Sequence, residues 1–110
     1  MEIVTRDYNR VSVLRVVGRI DASTAPQFEQ TLNEYIKAGR YLLALELDGT
    51  DFLSSAGVRA LISAQKLVKP HGGKVAIAQP SQRVTEVLDL AGLRPLFPIY
   101  DNTEAAVGDL

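Results

Sequence analysis

Two adjacent serines, Ser54 and Ser55, stand between a polar loop and an apolar stripe of helical period, and they are the strongest candidates for chemistry in the chain. Ala56 and Gly57 follow them, so small residues leave room for another molecule before Val58. A serine at a helix N-terminus is first of all a cap, contributing about 1 kcal/mol. The same position suits a phosphoryl group, which would meet free backbone N–H groups and the positive end of the helix dipole. It would add about −1.5 to −2 charge beside Asp48 and Asp51. Ser54 or Ser55 can therefore serve as a switch. Asp48 and Asp51 are themselves paired carboxylates that could bind a divalent cation, but no third acid follows before Glu86. A hydrolytic Ser55 would need a neighbouring base. The single histidine, His71, lies in a Pro70-His71-Gly72-Gly73 loop and reads as a solvated loop residue. The chain has no cysteine, which excludes disulfides, thiolate metal sites and cysteine nucleophiles. One histidine leaves no structural zinc set. A G-x-S-x-G elbow, a P-loop and a G-x-G-x-x-G turn are all absent. The residues point to a binding module that is not an enzyme and needs no cofactor.

The elements that must position these serines follow from periodicity. Glu2 to Asp7 and Val11 to Val17 are β-branched and partly alternating, and the polar break Tyr8-Asn9-Arg10 makes them a hairpin. Phe28, Leu32, Tyr35 and Ile36 recur at helical spacing. Thr24 with Gln27 suggests a capping box, Pro26 fits the first turn, and Gly39 can end the helix. Tyr41 to Leu47 is nearly continuous apolar sequence, the pattern of a strand covered on both faces. Asp48 to Leu53 reads as a loop. The second helix carries Val58, Leu61, Ile62, Gln65 and Val68 inward. Lys74 to Gln79 is a short strand, and Ser81 caps a third helix with Val84, Val87, Leu88 and Ala91 inward. Leu96 to Tyr100 is a last strand that Pro98 confines to an edge. Asp101 or Asn102 caps a final helix containing Glu104 to Val107. The order β-β-α-β-α-β-α-β-α predicts an α/β fold with a small, mostly parallel sheet and an N-terminal hairpin.

The chain has 110 residues, which on a prior of roughly 150 residues per domain is one domain over 1–110. Its 46% hydrophobic and 23% charged residues match an average globular composition and exclude disordered, collagen-like and coiled-coil chains. The longest apolar runs, such as Tyr41 to Leu45, fall far short of the about 20 residues a bilayer requires. No basic segment followed by an apolar one comes after Met1, so no signal peptide and a cytoplasmic location are expected. The net charge of −1 gives no general attraction to nucleic acid or to membrane lipid. The charges are nevertheless sorted: residues 52–83 hold five bases (Arg59, Lys66, Lys69, Lys74, Arg83) and no acid, whereas 21–51 hold six acids and two bases. Either these are solvated faces of separate elements, or they form acidic and basic sectors suited to one protein partner.

Val16-Val-Gly-Arg-Ile-Asp21-Ala-Ser-Thr-Ala-Pro26 and Asp51-Phe-Leu-Ser-Ser-Ala-Gly57-Val-Arg-Ala-Leu61 resemble the two signature segments of the STAS domain, the sulfate transporter and anti-sigma factor antagonist family. Gly72-Gly73-Lys-Val and the Val87-Leu88…Ala91-Gly92-Leu93 segment are similar to it as well. The resemblance covers essentially the whole chain and implies a STAS-like α/β domain. A stand-alone version resembles bacterial anti-sigma factor antagonists. These bind an anti-sigma factor that is also a serine kinase, release it when phosphorylated at the start of this helix, and are restored by a serine phosphatase. ATP and Mg²⁺ would belong to the kinase. The sequence departs from the family's Asp-Ser-Ser/Thr-Gly pattern: anchored on Gly57, Ser54 stands in place of the Asp and Ala56 in place of the second hydroxyl. The resemblance therefore implies phosphorylation on Ser55, with Ser54 in reserve. Asp21, Ser23, Thr24, Ser54, Gly57 and Arg59 are expected on the partner-binding rim, since binding groups in an open α/β sheet gather at the carboxyl ends of the strands. The alternative is a non-switching STAS subunit of a lipid- or anion-transport or scaffold assembly, in which Ser55 is only a cap.

Overall fold

The computed structural model describes all 110 residues, Met1–Leu110. The strands are β1 (Glu2–Tyr8), β2 (Val11–Ile20), β3 (Leu42–Glu46), β4 (Thr50–Leu53), β5 (Lys74–Ala78) and β6 (Ile99–Tyr100). The helices are α1 (Ala25–Lys37), α2 (Ser55–Val68), α3 (Gln82–Leu90) and α4 (Thr103–Asp109), with single 3₁₀ turns at Lys69–His71 and Arg94–Leu96. This is the expected α/β architecture with one strand more. The sheet runs β1-β2-β3-β5-β6, and β4 joins it beside β2. Only the β1–β2 hairpin is antiparallel; β2–β3, β2–β4, β3–β5 and β5–β6 are parallel.

Burial on the two faces explains the helix arrangement. Leu14, Val16, Leu43, Leu45, Val75 and Ile77 project to one face and pack with Phe28 and Leu32 of α1, Leu61 of α2, and Val84 and Leu88 of α3 in a core of 20 buried residues. The alternate residues Val11, Val13, Ala44 and Ala78 form a smaller core on the other face under Ala106 of α4, as the period-2 geometry of strands requires. Glu46 is buried on that second face, where its carboxylate accepts from Arg6 Nη2 at 2.9 Å and from the Thr103 hydroxyl. Burial alone would raise the Glu46 carboxyl, but those two hydrogen bonds hold it below its ordinary value.

The structure corrects several local expectations. Asp48–Leu53 is not all loop, because Thr50–Leu53 is β4 and pairs with Gly18–Ile20. β2 runs on to Ile20 for the same reason. The last strand shrinks to Ile99–Tyr100, since Arg94–Leu96 closes a 3₁₀ turn, and it lies on the sheet edge as Pro98 suggested. Thr24 forms no capping box: it sits in helical conformation and its side chain makes no cap bond to α1. Ala91 is exposed beyond the end of α3, not inward. Ser81 and Asn102 do cap their helices, accepting from Val84 N at 3.2 Å and Ala105 N at 2.8 Å. The inward Gln65 is satisfied by both backbone groups of Val75 and by the Leu96 carbonyl, at 2.7–3.0 Å.

Gly73, between the 3₁₀ turn after α2 and β5, packs where no side chain fits. An added Cβ would strike the Tyr41 carbonyl oxygen and lie 2.7 Å from Tyr41 Cβ and 2.8 Å from Val68 Cβ. All three obstacles are fixed to the backbone, a carbonyl oxygen and two Cβ atoms, so the chain itself must shift. Gly73→Ala is expected to destabilise the domain by about 1–3 kcal/mol, read as a lower urea midpoint at unchanged m-value. A midpoint equal to the parent's would show that β5 is not packed this closely.

Candidate functional site

The rim at the carboxyl ends of the parallel strands carries the residues singled out in the sequence. The strand that delivers Ser55 there is β4, not the strand ending near Leu47. Its last residue, Leu53, pairs with Ile20, and Ser54 N donates to the Ile20 carbonyl at 2.8 Å. That bond joins the start of α2 to the end of β2, where the Asp21–Thr24 loop begins. The two segments are thereby locked side by side.

The two serines divide the work. Ser54 has extended backbone and is the N-cap of α2, its hydroxyl accepting from Gly57 N at 3.2 Å while its carbonyl accepts from Val58 N at 3.0 Å. Ser55 is the first helical residue and is exposed. Its hydroxyl forms no hydrogen bond within the chain, in contrast to the Ser54 hydroxyl beside it and the Ser23 hydroxyl of the neighbouring loop. The Ser55 and Ala56 amides lie in the first turn and have no intrahelical acceptor. Thr50, the other hydroxyl of this segment, is fully buried and donates to the Val16 carbonyl at 2.7 Å. An unpaired hydroxyl, free amide groups and a helix N-terminus thus coincide at Ser55.

The Asp21 loop is a knot of short-range bonds. Asp21 Oδ1 accepts from Ser23 N at 3.0 Å, Ser23 Oγ at 2.7 Å and Thr24 N at 3.2 Å. Thr24 Oγ1 accepts from Asp21 N at 2.9 Å and donates to the Arg19 carbonyl at 2.8 Å. These donors, the Ser23 hydroxyl foremost, hold the Asp21 carboxyl down at about 2. The Arg19 guanidinium lies 4.2 Å over the Phe52 ring and 3.7 Å from Asp21, tying β4 to the same loop. Between α1 and α2 a shallow depression of about 600 Å³ is lined by Ala22 and Pro26 on one side and by Ala56 and Arg59 on the other. Arg59 is exposed and free of ion pairs.

Other sequence candidates are placed differently. Gly57 is buried, and a Cβ there would stand 2.7 Å from both Ile20 Cγ2 and Leu53 Cδ1. Its missing side chain lets α2 seat on β2 and β4, so it does not open the surface to a partner. Asp48 is committed to Arg15, with Nη1 2.6 Å from Oδ1. Burial alone would raise the Asp48 carboxyl, but bonds from Gln79 and Arg15 hold it below its ordinary value. No three His, Cys, Asp or Glu side chains gather to hold a metal ion. His71 stacks on Tyr41 beyond the far end of α2, about 20 Å from Ser55 at 1.5 Å per helical residue. It cannot act as a base for Ser55.

A family model for the STAS domain matches residues 2–106. The chain belongs to the STAS domain family. Among curated relatives, an anti-sigma F factor antagonist from Paenibacillus polymyxa is 27% identical over 111 residues, spanning 100% of this chain and 95% of that protein. Among solved structures, an anti-sigma factor antagonist from Mycobacterium paratuberculosis superposes with a TM-score of 0.89 at 26% identity, covering 98% of this chain and 92% of that one. The anti-sigma factor antagonist SpoIIAA in its unphosphorylated form shares the fold at a TM-score of 0.82 and 20% identity, covering 98% and 94%. A structure of its phosphorylated form aligns at 0.75, covering 98% and 97%. No helix of this STAS domain is long and apolar enough to cross a membrane.

Two predictions follow from the geometry of the rim. Ser54→Ala is expected to cost about 1 kcal/mol through loss of the cap, whereas Ser55→Ala should stay within about 0.5 kcal/mol of the parent; paired denaturant titrations measure both. Equal losses would show that the two hydroxyls share the capping role. The Asp21 carboxyl is expected to titrate with a midpoint near 2, followed by the pH dependence of its ¹³C shift. Its folded pKa lies below the unfolded value of about 3.9, so the unfolded chain binds more protons between the two. The contribution to stability is therefore complete above about pH 4 and lost as pH falls towards 2. Ser23→Ala should raise the midpoint; an unchanged one would remove Ser23 as its main cause.

Proposed function

We propose that this STAS domain is an anti-sigma factor antagonist whose partner binding is gated by phosphorylation of Ser55. In the unmodified state the rim formed by Asp21, Ser23, Thr24, Ser54, Ser55 and Arg59 docks an anti-sigma factor that is also a serine kinase, and this withholds the anti-sigma factor from its sigma factor. Transfer of a phosphoryl group from the kinase's ATP to the Ser55 hydroxyl ends the binding, and a serine phosphatase hydrolyses the ester to restore it. The observation that carries this reading is the contrast between neighbours: Ser54 is occupied as a cap while Ser55 presents an exposed, unbonded hydroxyl. The relatives named as antagonists support the class of partner, and SpoIIAA, with structures in both forms, supports the kind of control.

The physical basis is electrostatic. A phosphoserine carries about −1.5 to −2 charge at neutral pH. At the first position of α2 that charge is tolerated by the domain itself, because the helix dipole and the free amides favour it. It is not tolerated by a partner surface fitted to a neutral hydroxyl, where an unmatched charge must be desolvated. One group can therefore abolish binding and leave the fold unchanged.

Incubation with the cognate kinase and ATP is expected to place phosphate on Ser55, located by peptide mapping; phosphate on Ser54 alone would defeat the assignment. Ser55→Asp should weaken partner binding by roughly 30-fold or more while Ser55→Ala retains it, measured by calorimetry. Equal affinities for the two variants would favour a non-switching STAS subunit. Reversing Arg59 to Glu should slow association and flatten its salt dependence, as rim charges do, while Lys69→Glu beyond the far end of α2 should do neither.

A further inference from the structure

We propose that the pole of the domain opposite Ser55 carries a second site, in which Arg10, Arg40 and Lys74 bind a small soluble phosphate-bearing anion of the pyrophosphate type. The three cations come from separate segments. Arg10 lies in the β1–β2 turn, Arg40 in the connection from α1 to β3, and Lys74 is the first residue of β5. All three line one cavity of about 380 Å³. Gathering like charges from three elements around a concavity is unfavourable unless an opposite charge answers them.

The chain supplies little of that charge. Arg10 and Lys74 form no ion pair, and the one carboxylate paired with Arg40 is Asp7, 3.8 Å from Nη2. The Arg40 guanidinium is held by neutral acceptors instead, Nε donating to Ser12 Oγ and Nη1 to the Asn9 carbonyl, each at 2.8 Å. Its Nη2 is buried and makes no hydrogen bond. The acidic side chain on the cavity wall is Asp109, which accepts from the Tyr100 hydroxyl. It does not come within ion-pair distance of the three cations.

Compensation of helix dipoles does not explain Arg10 or Lys74. Lys37 and Lys66 lie in the last turns of α1 and α2, where they offset terminal carbonyls. Arg10 and Lys74 lie in no helical turn, and Arg40 follows the end of α1, its N–H donating to the Tyr35 carbonyl at 2.9 Å. The remaining walls also suit a compact anion. Tyr41 and His71, both on the cavity wall, stack with centroids 4.0 Å apart and planes 4° from parallel. Gly72, at φ +70°, leaves open space where a side chain would stand. Arginine and lysine residues lining such a space carry the donors that multiple phosphate oxygens accept from, Arg10 and Lys74 with exposed, unpaired side chains and Arg40 adding its charge behind them.

The site is independent of the switch at Ser55, so it is tested on the unmodified chain. Calorimetry with pyrophosphate at constant ionic strength is expected to give saturable one-to-one binding. Amide shifts should cluster at Arg10, Gly39–Leu42 and Gly72–Lys74 and leave Ser54–Gly57 unmoved. Arg10 and Lys74 are exposed and unpaired, so the double variant Arg10→Gln/Lys74→Gln should fold with the parent's circular dichroism and bind about tenfold or more weakly. Lys66→Gln should bind as the parent does. Four results would overturn the site: heats reproduced by equal ionic strength of chloride, shifts centred on the start of α2, undiminished affinity in the folded double variant, or capture by phosphatidylglycerol vesicles without pyrophosphate binding.

Discussion

The pairing of β4 with the last residues of β2 is the constraint on which the rim of this domain depends. β2 is ten residues long and serves two neighbours in succession, β3 along Val11–Arg15 and β4 along Gly18–Ile20. Within the β2–β4 pairing the register shifts between Gly18 and Arg19, and Gly18 takes φ +104°, a conformation that side chains disfavour. Gly18 N then donates to the Gly49 carbonyl, the Thr50 hydroxyl to the Val16 carbonyl, and Ser54 N to the Ile20 carbonyl. The start of α2 is thereby held against the end of β2. Ser81 extends the same bracing to α3, since its hydroxyl caps that helix and donates to the Thr50 carbonyl.

The proposed control at the exposed hydroxyl builds on this bracing and calls for no moving part. The Ser55 side chain makes no bond that the fold needs, while the cap beside it does. In the control proposed, a charge added at Ser55 would change the surface presented to a partner, while the core of 20 buried residues lies beneath the rim and does not include Ser55. The proposed control is thus a change in electrostatic fit. The small residues nearby divide between two tasks, Gly57 seating the helix on the sheet and Ala56 shaping the depression beside Arg59.

The second face of the sheet follows a different logic. Only α4 covers it, its Ala106 seated over the small residues Ala44 and Ala78. Its attachment relies on polar contacts as well, through Glu46, Arg6 and Thr103 and through Thr103 N donating to Gln79 Oε1 at 3.2 Å. Gln79 itself adopts φ +41°, unusual for a residue with a side chain. Both of its roles, at Thr103 and at Asp48, depend on where that turn directs the amide.

The sequence by itself determined the hairpin, the three helices packed on the larger core and the strands β3 and β5. Each carries a repeat of apolar residues whose period belongs to one kind of backbone, as Phe28, Leu32 and Tyr35 do in α1. Local chemistry also sufficed for the cap at Ser81, where acceptor and donor are three residues apart, and for the Ser54–Ser55 junction, while it left the last cap open between Asp101 and Asn102, of which the structure uses Asn102. Only the tertiary structure decided that Thr50–Leu53 is a strand, because four residues with two polar members have no period and gain their bonds from a partner thirty residues away in the chain. It also decided that Gly57 faces inward against Ile20, and that Arg10, Arg40 and Lys74 meet at one cavity. These are contacts between segments distant in sequence, and the spacing of residue types carries no record of which distant backbone will be adjacent.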